Sequence, residues 1–195
     1  ALNLKGLEFK SVPISLHPDH QEQRSDEYRA LNPQMRVPAI ELDGQVFGQS
    51  TAILEWLEET YPNPPLLPSE PSARLKVRSF ADTVACDIHP LNNLSVLRVL
   101  RADFAADEDA IANWYADWIL RGFTALEVRA TEAFQGTAFL FGDKPTLAEV
   151  CLIPQIYNAI RFGVDVSAFP RLLEVDETCG SLEAFRAATP EAVKP

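Results

Sequence analysis

Apolar residues follow two different spacings along this chain, and the spacings predict an α/β part followed by an all-helical part. Before Tyr61, apolar runs over residues 8–14, 37–42 and 45–47 have the length and composition of β-strands. From Ser72 onward, apolar residues recur every three or four positions, which is the period of an amphipathic helix. The sequence therefore predicts strands and helices in its first part and helices alone in its second.

The second and third of these runs predict a β-hairpin at a sheet edge. Asp43-Gly44 separates them, and this pair favours a two-residue type I′ turn. Pro38 has no N–H group and cannot donate to a central ladder, so the strand entered at Val37 is expected at an edge. The backbone of Val37 would then be free to pair with an extended peptide as an added strand.

A helix predicted over residues 51–61 follows the hairpin directly. Ser50 suits the N-cap position, and the unpaired N–H groups beyond it suit an anion. For Ser50 alone, a plain N-cap is the simpler interpretation. Together with the free edge at Val37, however, the segment favours a site that binds a peptide backbone and captures a carboxylate.

The second half of the chain predicts long helices. One is expected from Ser72 as N-cap to the neighbourhood of His89-Pro90, where the proline would break or kink it. A second covers residues 107–133, and its aromatic residues are most simply core. A third begins at the capping box formed by Thr146 and Glu149.

The start of the chain predicts the end of a helix. Residues 1–6 suit a last helical turn, with Lys5 near its C-terminus and Gly6 at the C′ position. A helix that leads into the strand predicted over residues 8–14 implies a preceding parallel strand. We therefore expect the natural protein to begin earlier, with one further strand and most of one helix.

Five prolines between residues 61 and 71 indicate a linker between two domains. The predicted organisation is a first domain over residues 1–61, a linker over 62–71 and a helical domain over 72–195. The chain has 195 residues, 47% of them hydrophobic, which is enough for a substantial core.

Charge and cysteine content narrow the possible partners. A net charge of −11 disfavours nucleic acid and anionic membranes as partners. The three cysteines show no disulfide or zinc pattern, which favours a reducing cytoplasm. No membrane-spanning run or signal sequence is visible, and the polar loop from His17 to Arg24 lacks a metal-ligand set. An anionic ligand would need local positive charge, and the arginines to consider are Arg36, Arg98, Arg101 and Arg161.

Seven segments in order along the chain resemble zeta-class glutathione transferases, the family of maleylacetoacetate and maleylpyruvate isomerases. They read ALNLKG, LNPQMRVPAIELDG, QSTAILEWLEETYP, LLPSEPSARLKVRS, IHPLNNLSVL, GDKPTLAEVCLIPQ and RFGVDVSAFP. The resemblance implies a thioredoxin-like N-terminal domain, whose first strand and most of whose first helix are absent from this sequence. It further implies an all-helical C-terminal domain, glutathione as cofactor and a homodimer.

The resemblance also assigns site residues. It implies that Gln49 and Ser50 hold the γ-glutamyl end of glutathione, that Val37 pairs with its cysteinyl backbone and that Gln23 lies near its glycyl end. It places a stretch of the helical domain against the same ligand: His89, Asn93, Leu94 and Ser95. It matches Arg161 to an arginine that binds a substrate carboxylate.

Several of these assignments have simpler alternatives. Asn93 and Ser95 equally suit a polar helix surface, and His89 could merely precede Pro90 at a helix end. Arg161 would be favourable near a helix C-terminus without any ligand. Cys86, three residues before His89, could form a nucleophilic Cys–His pair, although a buried Cys usually serves as a small hydrophobe.

The implied function is glutathione-dependent cis–trans isomerisation of maleylacetoacetate or maleylpyruvate, a dicarboxylic substrate. The alternatives are conjugation of other electrophiles, including haloacids, and a non-catalytic binding module. The family's thiolate-activating Ser-Ser-Cys motif would lie before Ala1, and these residues supply no equivalent. No catalytic residue can therefore be assigned in this sequence.

Overall fold

The computed structural model describes residues 1–17 and 19–193 and divides the chain into two compact units. The first comprises Ala1–Pro64 with Ala187–Pro195, and the second comprises Pro65–Arg186. The division falls within the proline-rich segment, while the boundaries proposed above remain a prediction. Pro18 of the predicted polar loop and residues 194–195 of the predicted helical domain lie outside the described residues.

The first unit combines a hairpin with short helices. Its elements are a 3₁₀ turn (Glu22–Arg24), α1 (Asp26–Leu31), β1 (Ala39–Leu42), β2 (Gln45–Gly48), α2 (Ser50–Thr60) and the terminal α9 (Pro190–Val193). The strands pair antiparallel from Ala39 opposite Gly48 to Leu42 opposite Gln45. Asp43 and Gly44 have positive φ angles of 51° and 78°, as a type I′ turn requires. The predicted hairpin is therefore confirmed.

The strand predicted over residues 8–14 is wrong. This segment has no regular secondary structure, and Phe9 and Val12 are 53% and 66% exposed. A strand is stabilised by hydrogen bonds to a neighbour, and the sheet of the described residues contains only β1 and β2. An apolar run without a pairing partner does not form a strand.

The helical turn at the chain start ends as expected, but Lys5 has a larger role than its position suggested. The N–H groups of Gly6 and Leu7 donate to the carbonyls of Asn3 and Leu2, and Gly6 has a φ of 64°. The buried Lys5 ammonium lies 2.7 Å from Glu58 on α2 and donates to the carbonyls of Tyr61 and Pro64 at 2.6 and 3.0 Å. This buried ion pair fastens the first turn to the end of α2.

The second unit is helical throughout its described residues, apart from loops and one isolated bridge. Its helices are α3 (Pro71–Asp82), a π-helical segment (Thr83–Ile88), a 3₁₀ turn (His89–Asn92), α4 (Leu94–Phe104), α5 (Glu108–Ala133), α6 (Leu147–Arg161), α7 (Pro170–Gly180) and α8 (Glu183–Arg186). Helix α5 supplies much of the core through Ile119, Phe123 and Leu126, each fully buried. None of the helices of the described chain is both long and apolar enough to cross a bilayer.

Of the helix starts predicted in the second unit, two are confirmed and one is wrong. Asp107 caps α5, and Thr146 with Glu149 forms the expected capping box of α6. Ser72, however, lies inside α3, and the Glu70 carboxylate caps that helix by accepting from the N–H of Ala73 at 2.8 Å. Pro71 takes the first helical position, where no N–H is needed.

Glu149 combines this capping role with complete burial. Its carboxylate accepts hydrogen bonds of 2.7 Å from the N–H of Leu140 and from both the N–H and the hydroxyl of Thr146. Burial nevertheless raises the pKa of Glu149, because removal from water disfavours the charged form more than these donors stabilise it.

Candidate functional site

In the first unit, three of the predicted glutathione-binding residues meet at one end of the hairpin. Ala39 pairs with Gly48 at that end of the sheet. Val37 precedes β1 by two residues, and Gln49 and Ser50 directly follow β2, so all three residues lie at this end of the hairpin. The hairpin turn and its register thus bring together residues that are far apart in sequence.

The loop that leads into β1 is fixed by buried polar side chains. The hydroxyl of Tyr28 and the amide nitrogen of Asn32 both donate to the carbonyl of Arg36, at 2.7 and 2.8 Å. Asn32 also accepts from the N–H of Gln34 at 3.1 Å. Because both side chains are buried, they hold the backbone just before Val37 in place.

Val37 itself is exposed, and the Val37–Pro38 peptide bond is cis. Its backbone N–H and C=O form no hydrogen bond within residues 1–17 and 19–193. A residue whose neighbours are fixed and whose own polar groups are unpaired can accept an extended peptide by backbone pairing.

Ser50 does not occupy the N-cap position, which corrects the prediction. Gln49 is the N-cap residue, and its φ of 72° lies in a region that non-glycine residues seldom adopt. Its carbonyl accepts from the N–H of Ile53 at 3.0 Å, and no side chain caps the helix. The N–H groups of the first helical turn, beginning with that of Ser50, are therefore available to an anion.

Two glutamines complete this half of the site. The Gln49 amide nitrogen donates to the Gln34 side-chain oxygen at 2.8 Å, which orients Gln49 at the helix entrance. Gln23 lies in the 3₁₀ turn before α1, and its side-chain oxygen is buried without a hydrogen-bond partner. An acceptor without a partner and an unpaired backbone edge suit a peptide ligand that carries donor groups, such as glutathione.

In the second unit, the predicted residues near Pro90 lie on a tight turn and the helix after it. His89 is exposed at the start of the 3₁₀ turn, and Leu94 is 53% exposed at the start of α4. Asn93 caps α4 by accepting from the N–H and hydroxyl of Ser95, at 3.0 and 2.8 Å. This cap accounts for the side-chain oxygen of Asn93 and leaves its amide hydrogens for another partner.

The same turn is bonded to α5. The Trp114 indole donates to the carbonyl of Leu91 at 2.9 Å, and the Asn92 amide donates to the carbonyl of Tyr115 at 3.2 Å. These bonds hold the segment that carries His89 against the first half of α5.

Arg161, the last residue of α6, has its guanidinium exposed and forms no ion pair with any described residue. The guanidinium carbon lies 5.7 Å from the centre of the Phe162 ring. The ring of Tyr115 lies on Phe162 at 4.4 Å. The structure thus connects Arg161 to a tyrosine that the sequence pattern placed simply in the core.

The remaining arginines divide into two groups. Arg101 forms a bidentate ion pair with Glu108, with N–O distances of 2.8 and 2.9 Å, so its charge is already neutralised by that carboxylate. Arg36 and Arg98 are exposed and have no ion pair with the described residues. Arg101 is therefore the least suited of the four to an anionic ligand.

The Cys–His alternative loses support. Partial burial and the carboxylates of Asp82 and Asp87 raise the pKa of Cys86, whereas a nucleophilic thiol needs a lowered one. Cys151 is also unsuited, because burial raises its pKa to about 12. No group of three or more potential metal ligands is found in the described part of the chain.

Residues 1–65 match the family model described as glutathione S-transferase, N-terminal domain. Across 98% of the chain, 46% of residues are identical to a maleylpyruvate isomerase from Ralstonia, of which 90% is covered. The chain belongs to the glutathione transferase family. A maleylacetoacetate isomerase from Pseudomonas aeruginosa is also 46% identical, over 97% of this chain and 88% of that protein.

Solved structures identify the class within this transferase family. A holo maleylpyruvate isomerase described as a bacterial zeta-class glutathione transferase superimposes with a TM-score of 0.95, at 46% identity, covering 100% of this chain and 90% of that one. A maleylacetoacetate isomerase from Methylobacterium extorquens AM1, with malonate and glutathione bound, gives a TM-score of 0.92 at 36% identity, with coverage of 100% and 90%. The expected zeta-class fold, a thioredoxin-like domain followed by helices, is confirmed.

Proposed function

We propose that this transferase is a glutathione-dependent cis–trans isomerase of a maleyl-substituted keto acid, either maleylpyruvate or maleylacetoacetate. The observation that carries the proposal is 46% identity, over nearly the whole chain, to isomerases of both names. Binding of glutathione together with a dicarboxylate in a relative's structure supports it. This evidence favours isomerisation over conjugation of other electrophiles and over a non-catalytic binding role.

The first unit would bind glutathione. The Val37 backbone would pair with the cysteinyl residue, and the Gln49 side chain together with the N–H group and the hydroxyl of Ser50 would bind the γ-glutamyl carboxylate. Gln23 would accept a hydrogen bond near the glycyl end. When bound, glutathione supplies a thiolate that adds reversibly to the substrate double bond, so that rotation about it becomes possible.

The second unit would bind the substrate. A net charge of −11 opposes the approach of a dicarboxylate, so binding requires local cations whose charge is not already matched. Arg161 meets this requirement and can hold a carboxylate by two parallel hydrogen bonds. His89, Asn93, Leu94 and Ser95 remain proposed glutathione contacts. A homodimer in the cytoplasm belongs to the same proposal.

The direct test is turnover of maleylpyruvate and maleylacetoacetate by the full-length protein, followed by loss of substrate absorbance with and without glutathione. Isomerisation leaves the total thiol concentration constant, whereas conjugation lowers it by one thiol for each substrate consumed. Constant thiol with glutathione-dependent turnover is the expected result. Substrate loss that does not depend on glutathione would refute the proposal.

A site variant tests the glutathione assignment. Ser50→Ala removes a hydroxyl at the helix entrance, and losing a hydrogen bond to a charged group costs about 1.5–3 kcal/mol. We expect the KM for glutathione to rise roughly 10- to 100-fold. Ser69→Ala, an exposed serine before α3, is the matched control and should leave that KM unchanged. Equal KM values for the two variants would contradict the assignment.

A further inference from the structure

The side chain of Tyr115 is buried but its hydroxyl is unpaired. The residue lies on α5 and is only 5% exposed, and its ring contacts that of Phe162, the residue directly after α6. Its backbone carbonyl accepts from Asn92, but its hydroxyl forms no hydrogen bond with any described residue. The hydroxyl oxygen is not one of the buried polar atoms that lack a partner in the described chain, so it reaches solvent at the edge of an otherwise buried ring and is accessible to a ligand.

Phe162 brings this hydroxyl-bearing ring into the same cluster as Arg161. The centre of the Tyr115 ring lies 4.4 Å from that of Phe162, with an interplanar angle of 35°. The guanidinium carbon of Arg161 lies 5.7 Å from the centre of the same Phe162 ring. The half-exposed Phe162 ring is therefore a common neighbour of Tyr115 and of a cation that has no carboxylate partner in the described chain.

The electrostatics of Tyr115 are consistent with a hydrogen-bond donor. Burial raises its pKa to about 12, and the positive charge of Arg161 opposes that rise in part. The hydroxyl therefore keeps its proton throughout the physiological range, and Arg161 is close enough to act on it. A neutral O–H donor beside a guanidinium has the chemistry that recognises a carboxylate.

We propose that Tyr115 is a substrate-specificity residue whose hydroxyl donates a hydrogen bond to the carboxylate bound by Arg161. Phe162 positions the two side chains relative to each other. The inference rests on the proposed function for the identity of the substrate, a dicarboxylic acid. It adds a second donor to the single arginine suggested by the family resemblance. It also gives a reason why a tyrosine occupies a position where phenylalanine would pack equally well.

Tyr115→Phe tests the inference, because it removes the hydroxyl and keeps the ring contact. The first readout is malonate binding measured by isothermal titration calorimetry in the presence of glutathione. We expect Kd for malonate to rise about 10-fold, since a hydrogen bond to a charged group contributes at least about 1.5 kcal/mol. The second readout is steady-state isomerisation, where KM for the acid should rise about 10-fold and KM for glutathione should not change.

Tyr61→Phe is the matched control. It removes the hydroxyl of an exposed tyrosine at the end of α2 and should leave both malonate binding and turnover unchanged. Phe162→Leu is a second variant, at a residue that is half-exposed. By releasing Arg161 and Tyr115 from their common ring, it should also weaken malonate binding, by about threefold or more.

The outcomes separate the two proposals. Malonate affinity equal to wild type in Tyr115→Phe overturns the inference whatever Phe162→Leu does, as does a wild-type protein that binds no malonate. If wild type binds malonate, Tyr115→Phe weakens that binding and no maleyl acid is isomerised, the carboxylate site stands and the proposed function fails. Weaker malonate binding in Tyr115→Phe but not in Tyr61→Phe, together with an active wild type, supports both the site and the reaction.

Discussion

Gly122 on α5 packs against Ile88, the residue directly before His89, and substitution by alanine should destabilise the second unit. A Cβ at Gly122 would lie 2.2 Å from Cδ1 and 2.4 Å from Cγ1 of Ile88, far inside contact distance. Ile88 is 1% exposed, so its side chain cannot relieve the clash by moving out into solvent, and protein interiors are close-packed.

The expected magnitude follows from two opposing effects. Overpacking of this kind costs about 1–3 kcal/mol, whereas replacing Gly by Ala inside a helix gains up to about 1 kcal/mol. We expect a net loss of about 1–2 kcal/mol in the free energy of unfolding, measured by urea denaturation. For a chain of this size the loss corresponds to a Tm lower by roughly 2–8 °C.

The chain offers a matched control and a rescue. A Cβ at Gly180, the last residue of α7, would meet no atom within 4 Å, so Gly180→Ala should be neutral or slightly stabilising. Ile88→Ala removes both clashing atoms, and in that background Gly122→Ala should no longer destabilise. Additive losses in the double variant, or equal effects at Gly122 and Gly180, would refute the argument from the close contact.

Two further predictions concern buried charges. Lys5→Met leaves the carboxylate of Glu58 without its buried cation, so it should lower the free energy of unfolding by about 3 kcal/mol or more in urea denaturation. The double variant Lys5→Met with Glu58→Leu removes both charges and should recover most of that loss. Because the pKa of Glu149 is raised in the folded state, that carboxyl contributes most stability below its ordinary pKa of 4.5, and the contribution declines as pH rises toward the folded value. Glu149→Gln should lack this decline, so the wild-type advantage in unfolding free energy should shrink between pH 4 and 7; parallel curves for the two proteins would contradict this.

Features governed by neighbouring residues could be predicted from the sequence. The type I′ turn depends only on the positive φ angles that Asp43 and Gly44 adopt readily. The capping box at Thr146 and Glu149 is likewise a contact over three residues. The resemblance to zeta-class transferases rested on such local segments, and it led to the family that the comparisons confirm.

Features that depend on distant contacts could not be predicted in this way. The apolar residues around Phe9 suit a strand, but pairing with a neighbour decides whether a strand forms. Ser50 is a residue type typical of N-caps, yet in the structure Gln49 occupies the N-cap position with a positive φ. The position of Lys5 in the sequence suggests only a cation near a helix end, but in the structure it forms a buried ion pair with Glu58 on α2.

The candidate site shows the same division. The sequence by itself determined which residues were worth considering, because Val37, Gln49, Ser50 and Arg161 belong to recognisable local segments. Only the tertiary structure decided that Arg101 already has Glu108 as its partner while Arg161 lies with Phe162 and Tyr115. The physical reason is that local propensity acts between neighbours in the chain, whereas the matching of a charge or a hydroxyl depends on side chains brought together by packing.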